Sequence, residues 1–516
     1  MSLPMHHLVI VPVLLPLAAG AIMLPLGERR HGLKAAISVA SALLLLAAAL
    51  VLATRVDGPL GHAYALGDWP APFGIVLVAD RLSALMVLLT SVLGVAALLF
   101  STASWDRAGA HFHSLAQFLL AGLNGAFLTG DLFNLFVFFE LLLAASYALA
   151  LHGAGIRRVR ASLHYIILNL AASLLFLVGV SLMYGVAGTL NMADLAVQLP
   201  RIAAEDRALL EIGAGALGIA FLLKAGMWPL GFWLPAAYAA ASAPAAALFS
   251  ILSKVGVYAV VRVWLIVFGG GSGGEFLVYG GMATIVYALF GMLAAQGLGR
   301  LASFSVLASS GTLLATIGLN NAAATAAAFY YLTASTLGIA ALFLLVEIIE
   351  RGREPGADLV ALTADAYGLV AGDDEPEEQP GVAIPGAVAL LGLAFACVAL
   401  LIAGLPPLPG FVAKFAILST LVGIDPVPPA AWALLALILL SGLAAIISLG
   451  RAGIRVFWSQ RERPLRVRPA EIVPVGALVA ACLALTIEAG PAMRYMALAA
   501  QSLHAPGGYI EAVLRP

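Results

Sequence analysis

Lys224-Ala-Gly-Met-Trp-Pro229-Leu-Gly-Phe232-Trp-Leu-Pro235 sets a lysine, two glycines and two prolines inside a long apolar stretch. Proline removes backbone donors from a helix, and irregular backbone at membrane depth survives only where it is buried in protein or faces water. The stretch Gly404-Leu-Pro406-Pro407-Leu-Pro409-Gly410-Phe411-Val-Ala-Lys414 does the same, and its Pro407 to Phe411 echoes Pro229 to Phe232. The echo predicts two broken helices in two inverted repeats of about five helices, with the paired interruptions marking an ion path.

Working outward, the chain of 516 residues is 62% hydrophobic and only 10% charged. Apolar runs long enough to span a 30 Å hydrocarbon core recur, and about fourteen candidate spans are expected. The sequence therefore predicts an all-α polytopic membrane protein. A barrel would show weaker ten-residue alternation instead. The net charge of -1 gives no sign of a nucleic-acid partner. The segments expected are 1–110 (N-terminal helices), 111–268 (first repeat), 269–458 (second repeat, with a polar loop at 351–385) and 459–516 (a loop and the last helix).

The first apolar run lacks Lys and Arg before it and is followed by Glu28, Arg29, Arg30, His31 and Lys34. That is the reverse of a cleaved signal peptide, so a retained helix with its N-terminus outside is expected. On this count Arg157, Arg158, Arg160, Arg351, Arg353 and the cluster Arg451, Arg455, Arg461, Arg463, Arg466 and Arg468 all face inside.

Only four lysines occur, and Lys224, Lys254 and Lys414 lie in apolar stretches. A charge at the bilayer centre costs roughly 2.5 to 3.5 kcal/mol on insertion scales, so intramembrane ionisable groups point to function. Arginine fills the polar loops and cannot release its proton, whereas a desolvated lysine can. Glu140 lies about nine residues into its helix, roughly 14 Å deep, at a depth matching the lysines. The four form a horizontal row of candidate proton carriers; a buried structural ion pair between Glu140 and one lysine is the plainer alternative.

Other features read as structure. Asp80 and Asp131 begin helices and suit N-capping. Cys397 and Cys482 stand singly in apolar helices and fit core packing. The acidic run Asp373, Asp374, Glu375, Glu377 and Glu378, after a short helical stretch at 357–367, reads as a solvated loop or a partner-docking segment. Gly269 to Gly274, broken by Ser272, lacks the lysine of a phosphate loop.

Taken together, Gly130 to Leu149 with Glu140, Gly188-Thr-Leu-Asn-Met-Ala-Asp194-Leu-Ala, Lys224 to Pro235 and Leu252-Ser-Lys254-Val-Gly-Val-Tyr258 resemble a known family over nearly the whole chain. It is that of the antiporter-like proton-translocating subunits shared by respiratory complex I and Mrp-type cation/proton antiporters, and the wording around Glu140 and Gly188 favours the D subunit of the Mrp type. The resemblance implies a charged pair Glu140 and Lys224, a central relay Lys254, and a second relay Lys414 on the other broken helix. It further implies partner subunits of the A, B, C, E, F and G types, transport of protons and Na+ or another monovalent cation, a bacterial inner-membrane location and no cofactor.

One departure matters. Family members usually carry a histidine in the eleventh helix, where Tyr331-Leu-Thr333-Ala334-Ser335-Thr336-Leu337-Gly338 stands here, with Ala334 at that position. Water held by Thr333, Ser335 and Thr336 is expected to bridge Lys254 and Lys414. Ser250 is a further water-path candidate. His164, near the start of its span, reads either as a point of proton uptake from the inner side or as an interfacial polar residue. The expected function is proton translocation in a Na+/H+ antiporter. The alternatives are a proton-pumping subunit of complex I or a membrane hydrogenase, and a non-transporting scaffold.

Overall fold

A computed structural model describes residues 5–56, 61–351, 386–457 and 467–514. Most of the polar loop at 351–385, its acidic run and the 357–367 stretch, together with Arg353, Arg461, Arg463 and Arg466, lie outside the described residues. The helices in chain order are α1 (Met5–Leu8), α2 (Val11–Met23), α3 (His31–Arg55), α4 (Arg81–Ser101), α5 (Phe112–Leu128), α6 (Leu132–Leu151) and α7 (Ile156–Ala187). Next come α8 (Met192–Gln198), α9 (Arg207–Ala225), α10 (Leu234–Ala240), α11 (Ala243–Val261), α12 (Gly274–Ala294), α13 (Leu298–Ile317) and α14 (Ala322–Glu350). Last are α15 (Gly386–Ala403), α16 (Pro409–Val422), α17 (Pro429–Phe457), α18 (Pro469–Ile487), α19 (Ala489–His504) and α20 (Gly507–Leu514). Among the described residues twelve helices are long and apolar enough to cross a membrane, and α2, α5 and α16 are shorter apolar helices. One element departs from the helical expectation, an antiparallel hairpin of β1 (His62–Ala65) and β2 (Val76–Ala79).

Local chemistry sets the helix starts. Asp80 accepts from Ser83 N at 2.8 Å, and Ser83 Oγ returns the bond to Asp80 N, a reciprocal cap that satisfies two otherwise orphaned donors. Asp131, Asn191 and Asn321 cap α6, α8 and α14 one way, accepting from backbone N–H groups of the first turn. Burial raises the carboxyl pKa of Asp131 above its ordinary value.

α11 is buried along its whole length, and α13 and α14 nearly so. Helices apolar all round belong in a core. At the periphery α7 exposes Leu163, Ile167, Leu170 and Leu174, and α17 exposes Leu439, Leu443 and Ile447, stripes at helical spacing that only lipid or a partner could cover.

Several arginines gather at one end. Arg158 donates to His152 O at 2.6 Å and Ala240 O at 2.7 Å, Arg451 to Leu293 O at 2.7 Å, Arg455 to Gln296 O at 3.3 Å and Arg468 to Ala103 O. These carbonyls sit at or just beyond the C-termini of neighbouring helices, where a cation is favoured. Arg351 holds the fully buried Glu471 at 2.5 Å at this same end.

Two helices are interrupted as expected. α9 stops at Gly226 with φ +77, and α15 stops at Gly404 with φ +80, left-handed positions suited to glycine. The chain then turns at Pro229 or Pro406-Pro407 and resumes as α10 or α16. Each turn folds a second glycine onto the break: a Cβ at Gly231 would lie 2.0 Å from Gly226 O, and one at Gly410 1.9 Å from Leu401 O. The series α5, α6, α7, α9–α10, α11 is followed by α12, α13, α14, α15–α16, α17.

Backbone cannot yield to such contacts. Gly231→Ala and Gly410→Ala are expected to cost more than about 4 kcal/mol and to lower the melting temperature of the detergent-solubilised protein, or to prevent its accumulation. Gly476→Ala, where a Cβ meets nothing within 4 Å, should melt as the parent does.

Candidate functional site

Lys254 is fully buried in the middle of α11. Its Nζ donates to Ser310 Oγ on α13 at 3.3 Å. The adjacent Ser309 shares a hydrogen bond of 2.9 Å with Ser335 on α14. Ser335 in turn lines a cavity of about 20 Å³ together with Tyr331, Ser305, Ser441 and Lys414. That volume holds about one water, and these hydroxyls supply the polar partners it needs. Lys254 thus reaches Ser310 and Ser309 reaches Ser335; Ser310 and Ser309 are chain neighbours whose hydroxyls no hydrogen bond joins among the described residues, and a gap of water size separates Ser335 from Lys414.

Lys414 closes the row on α16. Its Nζ donates to Ala403 O at 2.9 Å and Ile402 O at 3.3 Å, the last carbonyls of α15. Their helical donors would be the nitrogens of Pro406 and Pro407, which carry no hydrogen. The ammonium occupies the place of the missing donors, at a helix C-terminus where positive charge is favoured.

Lys224 is held differently. It lies in the last turn of α9, with Nζ 5.1 Å from the Phe139 ring centroid, a cation–π contact worth about 2 kcal/mol when desolvated. Nζ and Glu140 Oε1 are both buried without a hydrogen-bond partner, so the expected pair are neighbours, Glu140 following Phe139, but not in direct contact. A cavity of about 20 Å³ lined by Tyr165, Asn169, Trp233 and Tyr238 adjoins Lys224. Gly256, whose Cβ would lie 2.4 Å from Ala225 N, lets α11 run backbone to backbone against the end of α9, one turn from both Lys224 and Lys254.

The other expected water-path residues stand apart from this chain of groups. Thr333 and Thr336 donate to Phe329 O and Leu332 O of their own helix at 3.0 and 2.6 Å. Ser250 bonds Ala247 O. His164 is exposed and bonds Arg160 O at 3.0 Å. Ser309, Ser310 and Tyr331 take their place, and nothing in the spacing of these three says which helix they face.

The structure adds a further buried charge. Arg262, two turns beyond Lys254, is almost fully buried and holds Asp80 through both guanidinium nitrogens, Nη2 to Oδ1 at 2.5 Å and Nη1 to Oδ2. Burial alone would raise the Asp80 carboxyl pKa; the guanidinium more than offsets it and holds the carboxyl below its ordinary value. Between Lys254 and Arg262, Tyr258 accepts from Arg262 Nε at 2.8 Å and donates to Phe127 O. Asp80 is therefore both the expected cap and an ion-pair partner.

The chain matches the family model described as NADH:quinone oxidoreductase/Mrp antiporter, TM, over residues 129–368. It is 54% identical to the D subunit of a probable K(+)/H(+) antiporter of Rhizobium meliloti, covering 99% of this chain and 98% of that one. It is 34% identical to the D subunit of the Na(+)/H(+) antiporter of Alkalihalophilus pseudofirmus, covering 99% and 100%. Among solved structures it resembles a chain of the Mrp complex from Dietzia, with TM-score 0.85 and 26% identity over 99% of this chain and 100% of that one. A chain of respiratory complex I from Thermus thermophilus shares the fold, with TM-score 0.78 and 24% identity over 96% and 99%.

If Ser335 joins the two halves, Ser335→Ala should cut proton flux in vesicles about tenfold, the scale of one lost hydrogen bond of about 1.4 kcal/mol. Thr336→Val, which removes a hydroxyl already committed to its own helix, should leave flux unchanged.

Proposed function

The chain belongs to the family of antiporter-like subunits shared by NADH:quinone oxidoreductase and Mrp antiporters, and on that premise we propose that it is the proton-translocating D subunit of a multisubunit monovalent cation/proton antiporter in a bacterial inner membrane. The arginine-rich end then faces the cytoplasm. The observation that supports the reading is two hydrogen-bonded pairs, Lys254 with Ser310 and Ser309 with Ser335, beside a cavity that Ser335 shares with Lys414. Partner subunits of the Mrp type, a bilayer and Na+ or K+ as the exchanged cation accompany it, since the two relatives differ in the cation their names carry.

In this mechanism a proton reaches the Glu140 and Lys224 region, passes to Lys254, and leaves Lys254 toward Ser310. A serine hydroxyl accepts at its lone pair and donates its hydrogen onward, so the hydroxyls and the water site relay the proton to Lys414. Lys254 is held by a single side-chain hydrogen bond, of 3.3 Å, and no ion pair fixes its charge among the described residues.

The row turns sideways because the outward direction is closed. Tyr258 already donates to Phe127 O, and Arg262 keeps its proton at any accessible pH. Clamped by Asp80 through two bonds, it offers no site to a proton leaving Lys254 toward the outer face.

Exchange by the assembled complex in everted vesicles tests the relay. Lys254→Arg is expected to be nearly as inactive as Lys254→Ala, and Glu140→Gln to lose exchange with assembly intact. A non-transporting scaffold would tolerate all three. Removing both outer charges, Asp80→Asn with Arg262→Gln, avoids an orphaned buried ion and should raise passive proton leak several-fold in proteoliposomes. A tight membrane with that double variant would remove the outer barrier from the mechanism.

A further inference from the structure

A groove of about 850 Å³ opens on the outer half of the bundle, away from Lys254 and Lys414. Its floor is the π-helical turn Arg262–Val267 that continues α11, at Val263 and Trp264, and its walls are α9, with Gly215 and Gly218, and the first turn of α12, with Phe276 and Leu277. A Cβ at Gly215 or Gly218 would meet nothing within 4 Å, so these glycines leave space instead of admitting a neighbouring helix. The rim is apolar and open, with Ile219 45% and Phe276 58% exposed.

Its depth identifies the occupant. The lining runs from Arg207 to Leu222 on α9, about 22 Å at 1.5 Å per residue, and from Val260 in α11 through the π-helical turn Arg262–Val267 to Phe268. On α12 it stops at Leu277. One leaflet is about 15 Å of hydrocarbon, or about 20 Å with its headgroups, whereas a partner helix needs a path of about 30 Å. At the outer end stand Arg207 and Glu211, one turn apart on α9. Both are exposed, and no ion pair joins them among the described residues.

We infer that this groove is a phospholipid site in the outer leaflet, selective for a headgroup that carries both a phosphate and a primary ammonium. The acyl chains fill the apolar groove, Arg207 binds the phosphate bidentately, and Glu211 accepts from the ammonium. A quaternary ammonium has no hydrogen to give Glu211, so a choline headgroup satisfies only half of the site. The inner end, at Phe221 and Leu222, lies within a turn of Lys224, so the lipid keeps water from reaching that lysine from outside. The site rests on the membrane-spanning fold and not on the relay, and lipid counting reads it independently of proton flux.

Native mass spectrometry of the assembled complex, delipidated and titrated with phosphatidylethanolamine, tests the site. One tightly held lipid per chain is expected, with affinity falling at least tenfold in Gly215→Leu/Gly218→Leu, which fills the open space. Glu211→Gln should erase the preference for phosphatidylethanolamine over phosphatidylcholine, with total binding largely kept. Equal lipid retention by the filled variant, equal affinity of the parent for both lipids, or a partner subunit's helix found in the groove would each overturn the inference.

Discussion

An ammonium shut away from water must be held by whatever electron-rich atoms the fold brings to it, and the architecture here is organised around three such groups. The three solutions differ. Lys224 has a ring face, Lys254 a single serine hydroxyl, and Lys414 two helix-end carbonyls. None has a contact carboxylate, in contrast to Arg262, which is clamped by Asp80 through two bonds. The distinction is physical: a bidentate ion pair fixes charge, while a single neutral contact leaves a proton free to move.

The broken helices follow from the same constraint. Pro406 and Pro407 strip donors from Ile402 and Ala403, and the exposed carbonyls then become the site that holds Lys414. On the other side Trp228 N turns from its helix to Thr284 Oγ1 at 2.8 Å. Backbone that hydrocarbon could not tolerate is satisfied inside the bundle, and the satisfying groups are those that the transport reading uses. Gly256 and Gly410 complete the geometry by letting backbone approach backbone where a methyl group would separate the elements.

Much of this is legible in the sequence. The lysines stand out against an arginine-rich background, the proline and glycine pairs announce both breaks, and Asp80 and Asp131 announce helix starts. What the sequence hides is direction. A serine's type is visible there but not the helix it faces, so Ser309 and Ser310 carry no signal, while Thr333 and Thr336 look available although their hydroxyls are committed to their own helix. Arg262 sits 182 residues from Asp80, a separation no local pattern spans, and the same is true of Lys224 lying over the Phe139 ring. The hairpin at His62–Ala65 and Val76–Ala79 is too short to alternate convincingly.

Between Lys254 and Lys414 two steps are made by no hydrogen bond of the protein: Ser310 to Ser309, which are only chain neighbours, and the gap between Ser335 and Lys414. The most direct measurement is a density map of the lipid-embedded complex at a resolution that shows water. The relay predicts an ordered water within hydrogen-bond reach of both Ser335 Oγ and Lys414 Nζ. A dry gap, with Lys414 bonded only to the carbonyls of Ile402 and Ala403, would contradict it.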